Sequence, residues 1–204
     1  MGCDLHLYTE VKKTINNNEM WVNSDFWSIN PYFRYGDEED KKYERELDIE
    51  SIYSGRDYEL FGILADVRGY GNEVISDPRG LPKDVSDIVK AESDKWGSDG
   101  HSHSHLTLKE LVEYLEKHPH INESGFVPSV QAKELDENGV EPTMWAEEVS
   151  PQLDWEYREW KRTTSVGKLV EKLKQRYSDI FWVRPEKQIT EDYEKIRIVF
   201  WFDN

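Results

Sequence analysis

The stretch Trp96-Gly97-Ser98-Asp99-Gly100-His101-Ser102-His103-Ser104-His105 sets three histidines at alternate positions beside an aspartate, in a chain that has 6 histidines in all. Near the start of the chain Asp4 and His6 are also two residues apart, so on a strand their side chains leave the same face. Oxygen and imidazole donors in this arrangement suit a divalent transition metal, Zn, Mn or Fe, with one position left open for water. Asp4, His6, Asp99, His101 and His103 are therefore the candidate metal ligands, expected to share one pocket. The same residues also fit a structural role. Asp99 and the serines would then cap a turn before a helix, the histidines would bond to backbone, and Asp4 and His6 would face solvent.

A second group is cationic. Between residues 54 and 82 every positive charge is an arginine, and Arg56, Arg68 and Arg79 alternate with aromatic residues and glycines. A planar guanidinium matches phosphate or carboxylate through two parallel hydrogen bonds, and aromatic rings stack on bases. Arg56, Tyr58, Arg68, Arg79 and Trp96 are thus the candidate contacts for a small anionic or nucleotide-like ligand, with Arg56 and Arg68 reaching one cavity. Neutralisation of surplus surface acid is the alternative use of these arginines. No Walker loop, dinucleotide fingerprint or nucleophile elbow occurs. Cys3, a lone cysteine on a strand, reads as a small buried residue.

Several elements must position these groups. Alternation over residues 3–12 predicts an N-terminal strand, and Asn16-Asn17-Asn18 a turn into a second strand through Trp21 and Val22. Ser54 with Asp57 would cap a helix whose face carries Tyr58, Phe61, Leu64 and Ala65 and which Gly69 would end. Asp84 and Asp87 would open a second helix toward Trp96. Thr107 and Glu110 form a capping box ahead of Leu108, Leu111, Val112 and Leu115, which places the histidines in a loop entering that third helix. Residues 127–149 read as a hairpin around Asp136-Glu137-Asn138-Gly139, residues 151–162 are ambiguous, and Val166, Leu169, Val170 and Leu173 mark a fourth helix. Two strands would follow, 180–184 and 196–202, the last apolar on both faces and so central in its sheet. The expected fold is α+β: an antiparallel or mixed sheet that includes the N- and C-terminal strands, packed with about four helices, as one domain over residues 1–204 with 122–162 as a candidate insertion.

Composition narrows the partners. The 204 residues carry 42 acids against 26 lysines and arginines, a formal charge of -16, which repels nucleic-acid backbones and anionic membranes. Aromatic residues make up 13%, too many for a disordered acidic polymer. No apolar run approaches a membrane span and no signal pattern opens the chain, and a single cysteine fits a reducing compartment, so a cytoplasmic location is expected. From Asp37 to Glu50 there are eight acids in fourteen positions, a solvated surface or a mimic of a polyanion.

Four blocks, MGCDLHLY at 1–8, SGRDYELFGILADVRGY at 54–70, residues 78–106 and IRIVFWFDN at 196–204, resemble an uncharacterised family of tailed-phage and bacterial genomes. Its members open Met-Gly-Cys-Asp-Ile-His and contain Gly-Asp-Gly-His-Ser-His-Ser. Ser98 departs from the glycine usual before the aspartate, and His105 stands where relatives commonly have tryptophan. The resemblance implies an origin, with the host cytoplasm as location, and no reaction. A weaker likeness, of Asp4-Leu5-His6-Leu7-Tyr8 to the Asp-x-His-x-His start of polymerase-and-histidinol-phosphatase domains, fails at Tyr8 and lacks the strand–helix alternation of that barrel.

Three functions are consistent with these features. The first is a binding protein for a small nucleotide-like or phosphorylated ligand, with sequestration of a host immune signal as its use. The second is a divalent-metal-dependent hydrolase or phosphoesterase, and the third an acidic nucleic-acid mimic that binds a host protein. Homo-oligomerisation remains open to the chain, whereas membrane and nucleic acid are not expected partners.

Overall fold

The structure is a computed structural model that describes residues 2–30, 33, 46–53, 55–69, 71, 73–181 and 192–203. The readings that involve Ser54, Tyr70, the acidic run from Asp37 to residue 45 and residues 182–184 lie outside these residues. The chain divides into two compact units, Met1–Tyr114 with Leu169–Asn204, and Leu115–Lys168. Among the described residues the fold is α+β, with five helices.

In the first unit, period-two alternation produces β1 (Asp4–Ile15), whose odd residues Leu5, Leu7 and Val11 are buried. Asn16 and Asn17 both take left-handed backbone, φ 51° and 62°, the signature of a two-residue turn whose twist matches its strands. That turn sets the register of β2 (Asn18–Asn23), with Ile15 opposite Asn18 and Lys12 opposite Trp21. β3 (Phe26–Ile29) and β4 (Leu47–Glu50) form a separate antiparallel pair. β5 (His101–Thr107) and β8 (Ile196–Asp203) complete a four-stranded sheet of order β2-β1-β8-β5, antiparallel throughout. β8, apolar on both faces, is flanked on both sides and buried from Ile196 to Phe202. The histidines thus lie on a strand at the sheet edge and not in a loop.

Helix α1 (Tyr58–Ala65) begins at Asp57, whose carboxylate accepts from the Leu60 amide, and sets Phe61 edge-on against Phe202 at 5.2 Å. It stops at Asp66, three residues before Gly69, because the left-handed backbone there, φ 54°, turns the chain out of the helix and lets Val67 N–H close on the Phe61 carbonyl at 3.3 Å. Helix α2 (Asp87–Asp94) is capped by Ser86 and not by Asp84. The Asp84 carboxylate is engaged at 2.8 Å by Arg197, which also bonds Glu10 at 2.7 Å; Glu10 accepts in turn from the Ser86 amide at 2.8 Å. The fully buried Glu10 carboxylate thereby ties the α2 cap to the sheet, and α2 packs Val89 with Val199 and Trp201. Helix α3 (Leu108–Lys117) has its reciprocal capping box: Thr107 N–H donates to Glu110 at 2.8 Å and Glu110 N–H to the Thr107 hydroxyl at 3.2 Å.

In the second unit β6 (His120–Pro128) pairs with β7 (Trp155–Thr163), and α4 (Ser129–Asn138) covers one face with Val127, Ala132 and Trp160 as its core. The segment expected to be a hairpin turn, Asp136 to Gly139, is the end of α4. Gly139 at φ 67° donates to the Leu135 carbonyl, since the left-handed residue that makes a turn also makes a helix cap. α5 (Ser165–Phe181), which from Leu169 onward belongs to the first unit, buries Val166, Leu169, Val170 and Leu173 as expected and is still helical at residue 180, where the sequence predicts a strand. No helix among the described residues is long and apolar enough to cross a membrane.

Candidate functional site

The site grows from the register between β1 and β8. Asp4 stands opposite Asp203 and His6 opposite Trp201, so these four side chains and Tyr8 share the sheet face toward α2. On that face Trp201 is fully buried, stacked on Tyr8 at 5.1 Å, on His6 at 5.8 Å and on His103 at 5.7 Å. The turn after α2 brings Trp96 to 4.0 Å from the His6 ring. Gly100 fits between Trp96 and His103: a Cβ there would lie 3.2 Å from both the Trp96 Cβ and the His103 ring. Trp96 O accepts from Asp99 N–H at 2.9 Å, which closes the turn.

Two apart in sequence, His101 and His103 do not share a face. The β5–β8 register shifts between His101 and Ser104, and Ser102 takes left-handed backbone at φ 50°. His101 therefore lies on Phe202 and His103 on Trp201, consecutive residues whose side chains leave opposite faces of β8. The His103 Nε2 is 3.0 Å from the Ser93 hydroxyl on α2, and burial holds its pKa below the usual value, with the His101 charge adding to the effect.

At the open end, Arg56 donates to both Asp4 oxygens at 2.6 and 2.9 Å, and this guanidinium holds the Asp4 carboxyl below its usual range. The Arg56 side chain stays 54% exposed. Asp4 N–H donates to one Asp203 oxygen at 3.0 Å, and the other lies 3.4 Å from His6 Nε2, an electrostatic contact without hydrogen-bond geometry. His6 Nε2, Trp201 Nε1 and His101 Nε2 are buried with no hydrogen-bond partner among the described residues.

The expected ligand sets are thus only partly assembled. Asp4, His6 and His103 lie on the Trp201 side, His101 on the Phe202 side, and Asp99 is exposed in the turn. Among the described residues no three His, Cys, Asp or Glu side chains group so as to hold a metal ion. Of the anion contacts, Arg56 and Trp96 flank the Asp4–His6 edge. Arg68 lies 5.8 Å over the Tyr58 ring and bonds to the Cys3 thiol, whose pKa burial raises against that influence. Arg79 is elsewhere, donating to Glu110 at 2.7 Å and to the His105 carbonyl at 3.2 Å.

Trp201, Asp203, Tyr8 and Ser93 belong to the site without having been singled out. The signal for Trp201 was the alternation in Ile196–Phe202, which separates Val199 and Trp201 from the remaining core; its partner His6 depends on a register that the sequence does not carry. Comparison of the chain with protein-family models, with curated proteins and with solved structures finds no match.

Proposed function

We propose that the chain is a binding protein for a small nucleotide-like or phosphorylated ligand, with the ligand's ring system against Trp96, His6 and His103 and its anionic group on the exposed side of Arg56. The observation that carries this reading is two buried nitrogens without a hydrogen-bond partner among the described residues, Trp201 Nε1 and His6 Nε2, on stacked rings whose centroids are 5.8 Å apart. Leaving a buried donor unsatisfied costs about 1–3 kcal/mol, a cost that an acceptor on a ligand removes. The surrounding rings add stacking surface. Sequestration of a host immune signal is the biological use that goes with the phage-family resemblance.

Metal-dependent hydrolysis is the second reading. It is weaker because Arg56 already occupies Asp4, and His101 and His103 lean on opposite faces. Titration of the protein with a panel of nucleoside mono-, di- and oligophosphates, followed by heat denaturation and chromatography of the ligand, separates the two. Binding with intact recovery, weakened roughly tenfold by Trp201→Phe through the loss of about one hydrogen bond, is the expected result. Repeated turnover that a chelator stops would overturn it.

A further inference from the structure

A second surface of the first unit lies on the far side of the sheet from β5. No described strand pairs with the outer edge of β2. The pair that flanks the two-residue turn, Ile15 and Asn18, bonds across the ladder, so alternation directs the N–H and C=O groups of Glu19, Trp21 and Asn23 away from β1. These groups border a groove of about 720 Å³ between β2 and the start of α2. Its apolar lining comes from Trp21, Val22, Val85 and Ile88, and Met20 at the rim is 43% exposed.

Charge identifies the occupant. Glu19, Asp84 and Asp87 line the groove, and Lys12, the one cation among the described lining residues, lies 5.0 Å over the Trp21 ring. Asp84 gives one oxygen to Arg197 while its side chain remains 64% exposed. Glu19 and Trp21 share the face toward α2, whereas Met20 and Val22 leave the other, with Ile15 exposed on that second face as well.

We propose that this groove docks an extended, cationic segment of a partner protein, added to β2 as a fifth strand. Its lysines or arginines, at alternate positions, meet Glu19, Asp84 and Asp87, and its intervening apolar side chains lie beside Met20, Val22 and Ile15. Main-chain hydrogen bonds to Glu19, Trp21 and Asn23 supply affinity, and the alternation supplies selectivity. The groove shares Val85 with the packing around Trp201 but contains none of Trp96, His6, His103 or Arg56, so its occupant is tested apart from the ligand reading.

The test uses the full chain and a labelled decapeptide of alternating lysine and valine, measured by fluorescence anisotropy near physiological salt, with amide chemical shifts to locate it. The expected result is saturable binding with shifts confined to residues 12–23 and 84–88. The same peptide N-methylated at the backbone amides of its two central lysines, whose N–H groups face β2 in antiparallel addition, keeps the charge but loses ladder donors and should bind at least about tenfold more weakly. The surface variant Glu19→Lys/Asp87→Asn should weaken the parent peptide about fivefold with its melting curve retained, and Lys133→Gln, on exposed α4 of the second unit, should leave it unchanged. Equal affinity for the N-methylated peptide would reduce the effect to general attraction by a polyanion and overturn the proposal, as would shifts elsewhere on the chain or no binding at all.

Discussion

His103 and His105 carry opposite structural duties on one strand but titrate in the same direction. Burial lowers the pKa of each; at His105 the hydrogen bond to the Gly80 carbonyl opposes this, and the charges of Arg197 and Arg79 add to it. Lowered histidine values mean that the folded state prefers neutral imidazole. The associated stability is whole above the ordinary value near 6.5 and is lost as pH falls below it toward the folded-state values. Thermal melts from about pH 7.5 down to 5 should therefore show a falling midpoint, and His103→Gln with His105→Gln should flatten that slope. An unchanged slope in the double variant would assign the effect to other groups. Trp201 tests the same face by packing: Trp201→Ala should cost about 3–5 kcal/mol in denaturant unfolding, whereas Trp201→Phe, which removes the unpartnered N–H, should cost far less.

Turns of opposite consequence set the strands. Asn16 and Asn17 accept left-handed backbone because a short amide side chain bonds locally, so the β1–β2 hairpin closes where alternation stops. Asn17→Val should destabilise the chain by about 1–2 kcal/mol in equilibrium unfolding, and Asn17→Gly should be neutral or better. At Ser102 the same backbone conformation sits inside a strand and redirects His103 to the Trp201 face. Ser102→Gly should leave the bulge intact. Ser102→Val disfavours it, and the readout is loss of the His103–Trp201 stack in the histidine ring resonances, with ligand affinity falling alongside. Alternation announces β1 and β8 plainly. It cannot announce the bulge, since a histidine–serine repeat reads equally well as a regular strand, a capped turn or a metal loop.

At the scale of the whole molecule the largest unbalanced quantity is charge. With a formal net charge of -16, mutual repulsion among carboxylates opposes compaction, so raising salt from about 0.02 to 0.3 M should raise the melting midpoint. One buried cation works against that repulsion. The Arg197 side chain is 5% exposed and joins Glu10 on β1 to Asp84 before α2 while covering the Trp21 ring at 4.0 Å. Arg197→Ala strands a fully buried carboxylate and should cost about 3–5 kcal/mol; Arg197→Met with Glu10→Gln should recover much of it, because the uncompensated charge is then gone. A double-variant midpoint no better than that of Arg197→Ala would place the loss in packing against Trp21 instead.

By itself the sequence determined what depends on neighbours along the chain. The strand alternation of Asp4–Ile15, the asparagine turn, the capping box at Thr107 and Glu110, the apolar face of α5 and the doubly apolar β8 all follow from periods and propensities within a few residues. Tertiary structure alone decided which distant groups meet. Pairing His6 with Trp201 is a matter of register over roughly two hundred residues of separation, and register is set by which faces bury together. Arg79 went to Glu110 and Arg56 to Asp4 because a guanidinium follows the nearest fixed carboxylate, a distance that no spacing in the sequence encodes. Gly139 became a helix cap and not a hairpin turn for a related reason: left-handed backbone serves both, and the Val127, Ala132 and Trp160 core selects the helix.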